Sequence, residues 1–550
     1  MRGDHSGVDR WFLPGLIALF VALFLILQVS PRVNRVTEDE SMVVYDAHRL
    51  VEGEVPYRDF FSMWMPGSLY PLSGGPWGWW GRPETGTRYL QVLLVLAETL
   101  ALACFLREKR PWNLLLAAVL PLVLFPMAPF MGNHWMAVLL YGASIMAALA
   151  LMKAPQNRWG WLGLGALAGT AGCFMQTEGL LAGVLLLFAV LGTSATLGEA
   201  SKRGGMAAAG AAGAGLLWIG PLFLLGAGRA FVEDALLWPL ANYRKPDNLV
   251  DKPLLWDLPG RLEALWAPSA GMGHLSWFLA ALTGTLLYLL ILAALVAATV
   301  FSLYYLAAVV FRRRRMSAPL TTASILTLAG LGMYAHVNPT WVHVMYAATP
   351  VFLLWALVLS GAGSAAWRRA AAGLLLLVLA CGVLFFTRGY WGTRHHAWEF
   401  LDVDRVDREA PLIRSLRAMP FLHKGDTIVV LPVGGSDYLY AFPAAIGYTQ
   451  LFTLDQGQYT KADHRRAAEE IEAKRPKLII IDRITEQRFL APSDPLSAVI
   501  TKDYVPWTQT PAVTLYLRRD LVTAPPAVKG TNAVTFAEPG SKMGGAGRGW

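Results

Sequence analysis

Apolar runs of about the length of a membrane span recur along this chain, and no other feature limits its possible folds so severely. They lie at 11–30, 88–106, 112–128, 135–152, 159–175, 179–195, 207–228, 280–311, 318–335, 342–361 and 371–387. As a helix, about twenty such residues cross a hydrocarbon core roughly 30 Å thick. Composition points the same way. Hydrophobic residues make up 55% of the chain, charged residues only 15%, and the mean hydropathy is +0.42. A water-soluble domain carries about 25% charge and could not hide this much apolar surface. The expected fold class is a polytopic α-helical membrane protein with about 11 transmembrane helices.

The formal net charge of +9 comes largely from short basic clusters between the apolar runs. That distribution reads as membrane topology and argues against nucleic acid as a partner. Arg107 to Arg110, Lys153 to Arg158, Lys202-Arg203, Arg312 to Arg315 and Arg368-Arg369 all fall on one side if the N-terminus is cytoplasmic. The first run follows Arg2 and Arg10 and reads as an uncleaved signal anchor. Basic residues flank both ends of 159–195, which requires two short spans with an outside turn at Gln176-Thr177-Glu178. Localisation in a bacterial inner (plasma) membrane follows as an expectation. Cys104, Cys173 and Cys381 have no disulfide or zinc spacing and read as packing residues.

The outer side then receives the loops 31–87 and 229–276 and everything after about residue 388. Within the last piece, 401–522 reads as a small extracytoplasmic α/β domain following a membrane domain over 1–400. Asp426 to Pro432, Lys477 to Asp482 and Val513 to Arg518 have strand patterns, and Asp463 to Lys474 has the pattern of a charged amphipathic helix. The tail 523–550 is rich in Gly, Pro and Ala and reads as disordered.

Chemistry is most legible in the first outer loop. Glu38-Asp39-Glu40 follows the first span closely, then Tyr45, then Gly53-Glu-Val-Pro-Tyr57-Arg58-Asp59-Phe60-Phe61, then Met65-Pro-Gly-Ser-Leu-Tyr70. Crowded carboxylates raise at least one pKa, which suits a general base or a metal ligand; a solvated acidic loop start has the same composition. Met63 to Pro66 reads as a short interfacial helix feeding the site, and the Trp and Tyr around it as an aromatic belt or a sugar-stacking surface. Asn133-His134-Trp135 reads as an interfacial anchor.

The Asp-Glu pair after the first helix, the following Tyr, and Gly-x-x-Pro-Tyr-Arg-Asp-Phe resemble the first outer loop of GT-C membrane glycosyltransferases. That superfamily includes the protein O-mannosyltransferases and the aminoarabinose transferases. The spacing departs from the tighter families: Tyr45 stands five residues after Glu40, where they place an aromatic three after the pair. The resemblance implies a sugar donor linked to polyprenyl phosphate, and it places the catalytic base at Asp39 with Glu40 adjacent. Gln176-Thr177-Glu178 resembles a Lys-Gln-Glu-Gly-like segment of these enzymes, with Met175 in the Lys position. His336 to His343 resembles their outer turn before a Pro-rich span.

An inverting displacement needs a base for the acceptor hydroxyl and cations or donors for the lipid phosphate. The candidate catalytic residues are Asp39 and Glu40. Candidate substrate-binding residues are Tyr45, Tyr57, Arg58, Asp59, Glu178, Arg244, Lys245, His336 and His343. A divalent metal is compatible with the acids, yet a lipid monophosphate leaving group does not demand one. The expected partners are the polyprenyl-phosphate sugar donor, a lipid, glycan or protein acceptor, and membrane lipids. The alternative is a transporter or flippase for lipid-linked or polar solutes. Transporters more often show broken or charged helices at mid-membrane and matching halves, whereas here the polar residues gather at outer turns.

Overall fold

The computed structural model describes residues 46–73, 83–105, 133–242, 422–431 and 461–522, apart from short gaps, with isolated positions at 14–21, 259–300 and 369–380. The expected spans at 112–128, 318–335 and 342–361 lie outside the described residues. Those at 11–30, 280–311 and 371–387 are described only at isolated positions.

The described membrane part is helical. Its elements are α1 (Pro66–Ser73), α2 (Pro83–Phe105), α3 (Asn133–Lys153), α4 (Arg158–Phe174), α5 (Gln176–Thr193) and α6 (Leu197–Leu224). Among the described residues, three stretches are long and apolar enough to cross a membrane: Trp135–Lys153, Gln176–Thr193 and Leu197–Leu224. Leu180, Leu187 and Leu191 of α5 and Leu216, Leu217 and Leu224 of α6 are exposed, which suits lipid contact.

Local chemistry sets the helix ends. Asn157 caps α4 by accepting from the Gly160 N–H at 3.1 Å. Thr196 caps α6 at Glu199 N–H, and the Glu199 carboxylate reaches back to Ala195 N–H, a reciprocal arrangement close to a capping box. The helix α6 has 28 residues, about 42 Å at 1.5 Å per residue. That exceeds the hydrocarbon core, and its first turns carry Lys202 and Arg203. Hydropathy alone placed the start near 207 because those basic turns are polar.

Two further expectations are corrected. Gln176-Thr177-Glu178 is the first turn of α5; only Met175, extended at φ −154° and ψ 132°, separates α4 from α5. The region after 228 does not begin as a loop. It continues through α7 (Gly228–Phe231), a π-helix (Val232–Leu237) and α8 (Trp238–Asn242).

Small residues make the tightest packing. A Cβ on Gly165 would lie 1.9 Å from the Ala207 carbonyl oxygen, and one on Gly169 would lie 2.7 Å from that of Ala211. Both contacts advance in the same direction, so α4 and α6 run parallel with their backbones touching. The intervening α5 returns the chain. At the α4 start and α5 end, the buried Arg203 guanidinium donates to Ser194 Oγ at 3.0 Å and Thr193 Oγ1 at 3.3 Å.

The C-terminal region forms a four-stranded sheet of order β1-β2-β4-β3. The strands are β1 (Ile428–Val430), β2 (Leu478–Asp482), β3 (Tyr504–Gln509) and β4 (Val513–Arg518). β1 and β2 are parallel, joined through α9 (Lys461–Lys474), and the other pairs are antiparallel. Helix α10 (Pro495–Asp503) is capped by Asp494 and begins with proline at its first position. β3 was missed in the sequence because Pro506 interrupts its pattern. It is an edge strand, and Trp507 is an extra, bulged residue in its register with β4.

Candidate functional site

The first loop docks on the corner between α4 and α5. Helical residues at 46–47 and 49–51 lead into a stretch with turns at 52–53 and 57–59, then α1. At the corner, Ser68 Oγ donates to the Phe174 carbonyl at 2.7 Å. Gly67 sits so close that a Cβ there would lie 2.6 Å from both the Cys173 carbonyl oxygen and the Phe174 ring. Ala47, Leu69, Met136, Phe174 and Met175 close the junction as one apolar cluster. α1 begins at Pro66, so Met63 to Met65 lie before the helix rather than in it. Trp135 is fully buried, which corrects the interfacial anchor expected there. The π-helix joins the same corner, where Gln176 Nε2 donates to the Ala235 carbonyl at 2.7 Å.

Two buried acids stand beside this junction. Asp46 is 1% exposed; its Oδ2 accepts from Ser62 Oγ at 3.1 Å, and its Oδ1 has no hydrogen-bond partner among the described residues. Burial pushes its carboxyl up to about 7, against the opposing pull of Arg49 and Ser62. Arg49 pairs with Glu54 and lies over the Phe60 ring at 4.4 Å. Glu178, also 1% exposed, accepts from Thr177 Oγ1 at 2.5 Å and leaves Oε1 unpartnered among the described residues. Tyr141 of α3 lies within electrostatic reach of it.

Tyr57 lies inside the loop with φ +70°, a left-handed conformation unusual for a large side chain. Its hydroxyl donates to the Trp64 carbonyl at 2.6 Å, and its ring meets Phe231 edge to face at 5.3 Å. Burial, with Tyr70, Asp46 and Asp234 nearby, pushes its phenol well above the usual range. Tyr70 is pushed up to about 12 by burial, and its hydroxyl has no partner among the described residues.

Arg58 and Asp59 bind each other at 2.9 and 2.8 Å; Asp59 also accepts from Val55 N–H at 2.8 Å, and Arg58 donates to the Leu225 carbonyl at 3.1 Å. The Arg58 bond holds the Asp59 carboxyl below its usual range. Asp39, Glu40, Tyr45, Arg244, Lys245, His336 and His343 lie outside the described residues.

The sequence does not single out Asp46, Arg49 or Asp234, and Tyr70 stands out in it only as one of the aromatics of the first loop. Asp46 adjoins the quoted acid and Tyr45 run, but a single acid carries no pattern of its own. Asp234 sits in the π-helix, where burial raises its carboxyl to about 7 despite Arg466 nearby in α9. Glu98, 8% exposed in α2, is a further buried acid inside an apolar stretch. Among the described residues, no group of three or more His, Cys, Asp or Glu could hold a metal ion.

No protein-family model matches this sequence, and no curated protein matches it. Solved structures do. The crystal structure of ArnT from Cupriavidus metallidurans in the apo state aligns at TM-score 0.53 and 12% identity, over 93% of this chain and 99% of that one. The Archaeoglobus fulgidus oligosaccharyltransferase, solved with Zn and sulfate, aligns at 0.47 and 13% identity over 91% of this chain and 73% of its own. Mycobacterial arabinofuranosyltransferase AftD aligns at 0.47 and 14% over 92% of this chain and 40% of its own. At 12% identity the likeness to ArnT shows a shared fold.

Proposed function

We propose that this chain is a membrane glycosyltransferase that moves a sugar from a polyprenyl-phosphate-linked donor to an acceptor at the outer face of the membrane. The observation that carries the reading is the docking of the first loop at the α4–α5 corner, beside the buried acids Asp46 and Glu178. This corner lies at the end of α4 and α5 remote from Lys153, Arg158 and Arg203. Basic residues favour the cytoplasmic side, so the corner belongs on the outer side. In this reading the C-terminal α/β region is extracytoplasmic.

In the proposed reaction, Asp39 takes the acceptor hydroxyl proton as the acceptor oxygen attacks the anomeric carbon. The bond from that carbon to the phosphate oxygen breaks with inversion, and polyprenyl phosphate leaves. Glu40 supports the base. Arg58, Arg244, Lys245, His336 and His343 are proposed to meet the phosphate charge. A metal is not required by this scheme.

Membrane vesicles carrying the full chain test it, supplied with radiolabelled undecaprenyl-phosphate esters of mannose, glucose or arabinose. Wild-type vesicles should release undecaprenyl phosphate, and Asp39→Asn should lower the rate at least a hundredfold with normal insertion. Full turnover by Asp39→Asn sinks the base assignment. Solute or lipid movement without bond cleavage favours the transporter. Turnover that survives EDTA excludes an exchangeable divalent metal.

A further inference from the structure

We propose that Phe61 is a positioning residue through which the C-terminal α/β region holds the first loop in its working shape; this rests on the glycosyl transfer proposed above. The backbone of Phe61 belongs to the first loop, but its side chain belongs to another core. Among the described residues, every other buried member of its apolar cluster lies between Ile428 and Tyr516. Val429 of β1, Ile480 of β2, Ile471 of α9 and Ile500 of α10 are among them. Met63, Trp64 and Trp238 pack against the same cluster, and the Trp238 ring meets Phe61 edge to face at 5.2 Å. Phe61 is 5% exposed, which leaves it no face for a substrate. Its part in the reaction is placement, not contact.

The residues after Phe61 pass that anchor on. Ser62 Oγ donates to Asp46 Oδ2 at 3.1 Å, and both residues are buried. Trp64 N–H donates to the same Ser62 Oγ at 3.4 Å, and the Trp64 carbonyl accepts from the Tyr57 hydroxyl at 2.6 Å. Fixing Phe61 therefore fixes Ser62, and Ser62 holds Asp46. Asp46 directly follows Tyr45 and stands six residues after Glu40. A path of packing and hydrogen bonds thus runs from the C-terminal sheet to the segment that follows the proposed catalytic acids. A general base acts only within hydrogen-bond reach of the proton it takes, and a misplacement of about 1 Å can cost roughly a hundredfold in rate.

The test uses full-length variants in membrane vesicles, supplied with the lipid-linked sugars named above. Rates are divided by the folded fraction, read from thermal unfolding. Phe61→Ala should lower kcat about tenfold or more and keep the donor KM within about twofold of wild type, since placement is lost and donor binding is not. Phe61→Leu refills the core and should restore most of the rate. Ser62→Ala leaves the C-terminal core intact and should also lower kcat. The double variant should lose no more than the larger single loss, because both residues act along one path. Wild-type kcat in folded Phe61→Ala, a rise in KM alone, or losses that multiply in the double variant each overturn the positioning role while the transferase reading stands. Should Phe61→Ala fail to fold, wild-type kcat in Ser62→Ala overturns the role, and a lowered kcat at wild-type KM supports it. If wild-type vesicles transfer none of these sugars, the transferase reading fails and takes the role with it.

Discussion

At the scale of single residues, Asp46 carries the strongest electrostatic consequence. Its carboxyl titrates near 7 in the folded chain, against 3.8 for an ordinary aspartate. The folded state thus holds the proton more tightly than the unfolded state between these values. Stability contributed by this group is complete below about 3.8 and is lost as pH rises toward 7. Three pH units correspond to roughly 4 kcal/mol, an upper bound on the change. Thermal unfolding of the full-length protein in nanodiscs between pH 4 and 8 should show this decline, and Asp46→Asn should flatten it. An unchanged pH profile in the variant rules the group out as its source. Tyr57 illustrates a different balance: its left-handed backbone is held by the bond to Trp64 and the contact with Phe231, so the residue fixes the loop's shape.

At the scale of elements, the parallel seam between α4 and α6 sets how closely two membrane helices approach. Gly165 admits the Ala207 carbonyl where any side chain would collide with it. Gly165→Leu should separate the helices, costing at least about 1–3 kcal/mol and lowering the yield of folded protein, as read by thermal unfolding in detergent. Wild-type stability in that variant would mean the seam is not tightly packed. The helices themselves are legible because apolar runs of span length report their positions. Their ends were less so, since Gln176-Thr177-Glu178 is polar yet helical. Polar residues at a helix start satisfy free N–H groups, so polarity alone does not mark a turn. The strand β3 escaped for the complementary reason: Pro506 breaks the pattern at a sheet edge where proline is tolerated. In the site, the repeated acids were conspicuous, but the solitary Asp46 and Tyr70 gain meaning only from their surroundings, and burial depends on contacts distant in sequence.

At the scale of the whole molecule, the C-terminal sheet and the first loop share a core. Phe61 is 5% exposed and packs with the Ile428–Leu431, Leu478–Ile481 and Ile500 side chains; Met63, Trp64 and Trp238 pack against the same cluster. Phe61 and Trp238 meet edge to face at 5.2 Å. Asp234 and Arg466 add an electrostatic link between the π-helix and α9. Just before β1, burial raises the Asp426 carboxyl, but its 2.8 Å bond from Lys477 and the His423 N–H bring it below the usual range. Phe61→Ala should cost about 3–5 kcal/mol at this junction. Limited proteolysis should then cut the C-terminal region faster than in wild type, with the membrane helices intact. An unchanged digestion rate argues against coupling through Phe61.

The shared core also imposes an order on biogenesis. Phe61 leaves the ribosome long before Ile428 or Leu478, so during synthesis the first loop carries an aromatic side chain whose partners do not yet exist. The loop completes its packing only after the strands have been made, when Phe61 meets the C-terminal sheet. A nascent chain stalled before residue 428 would therefore leave this hydrophobic surface unsatisfied, open to capture by a chaperone on the side of the membrane where the loop resides.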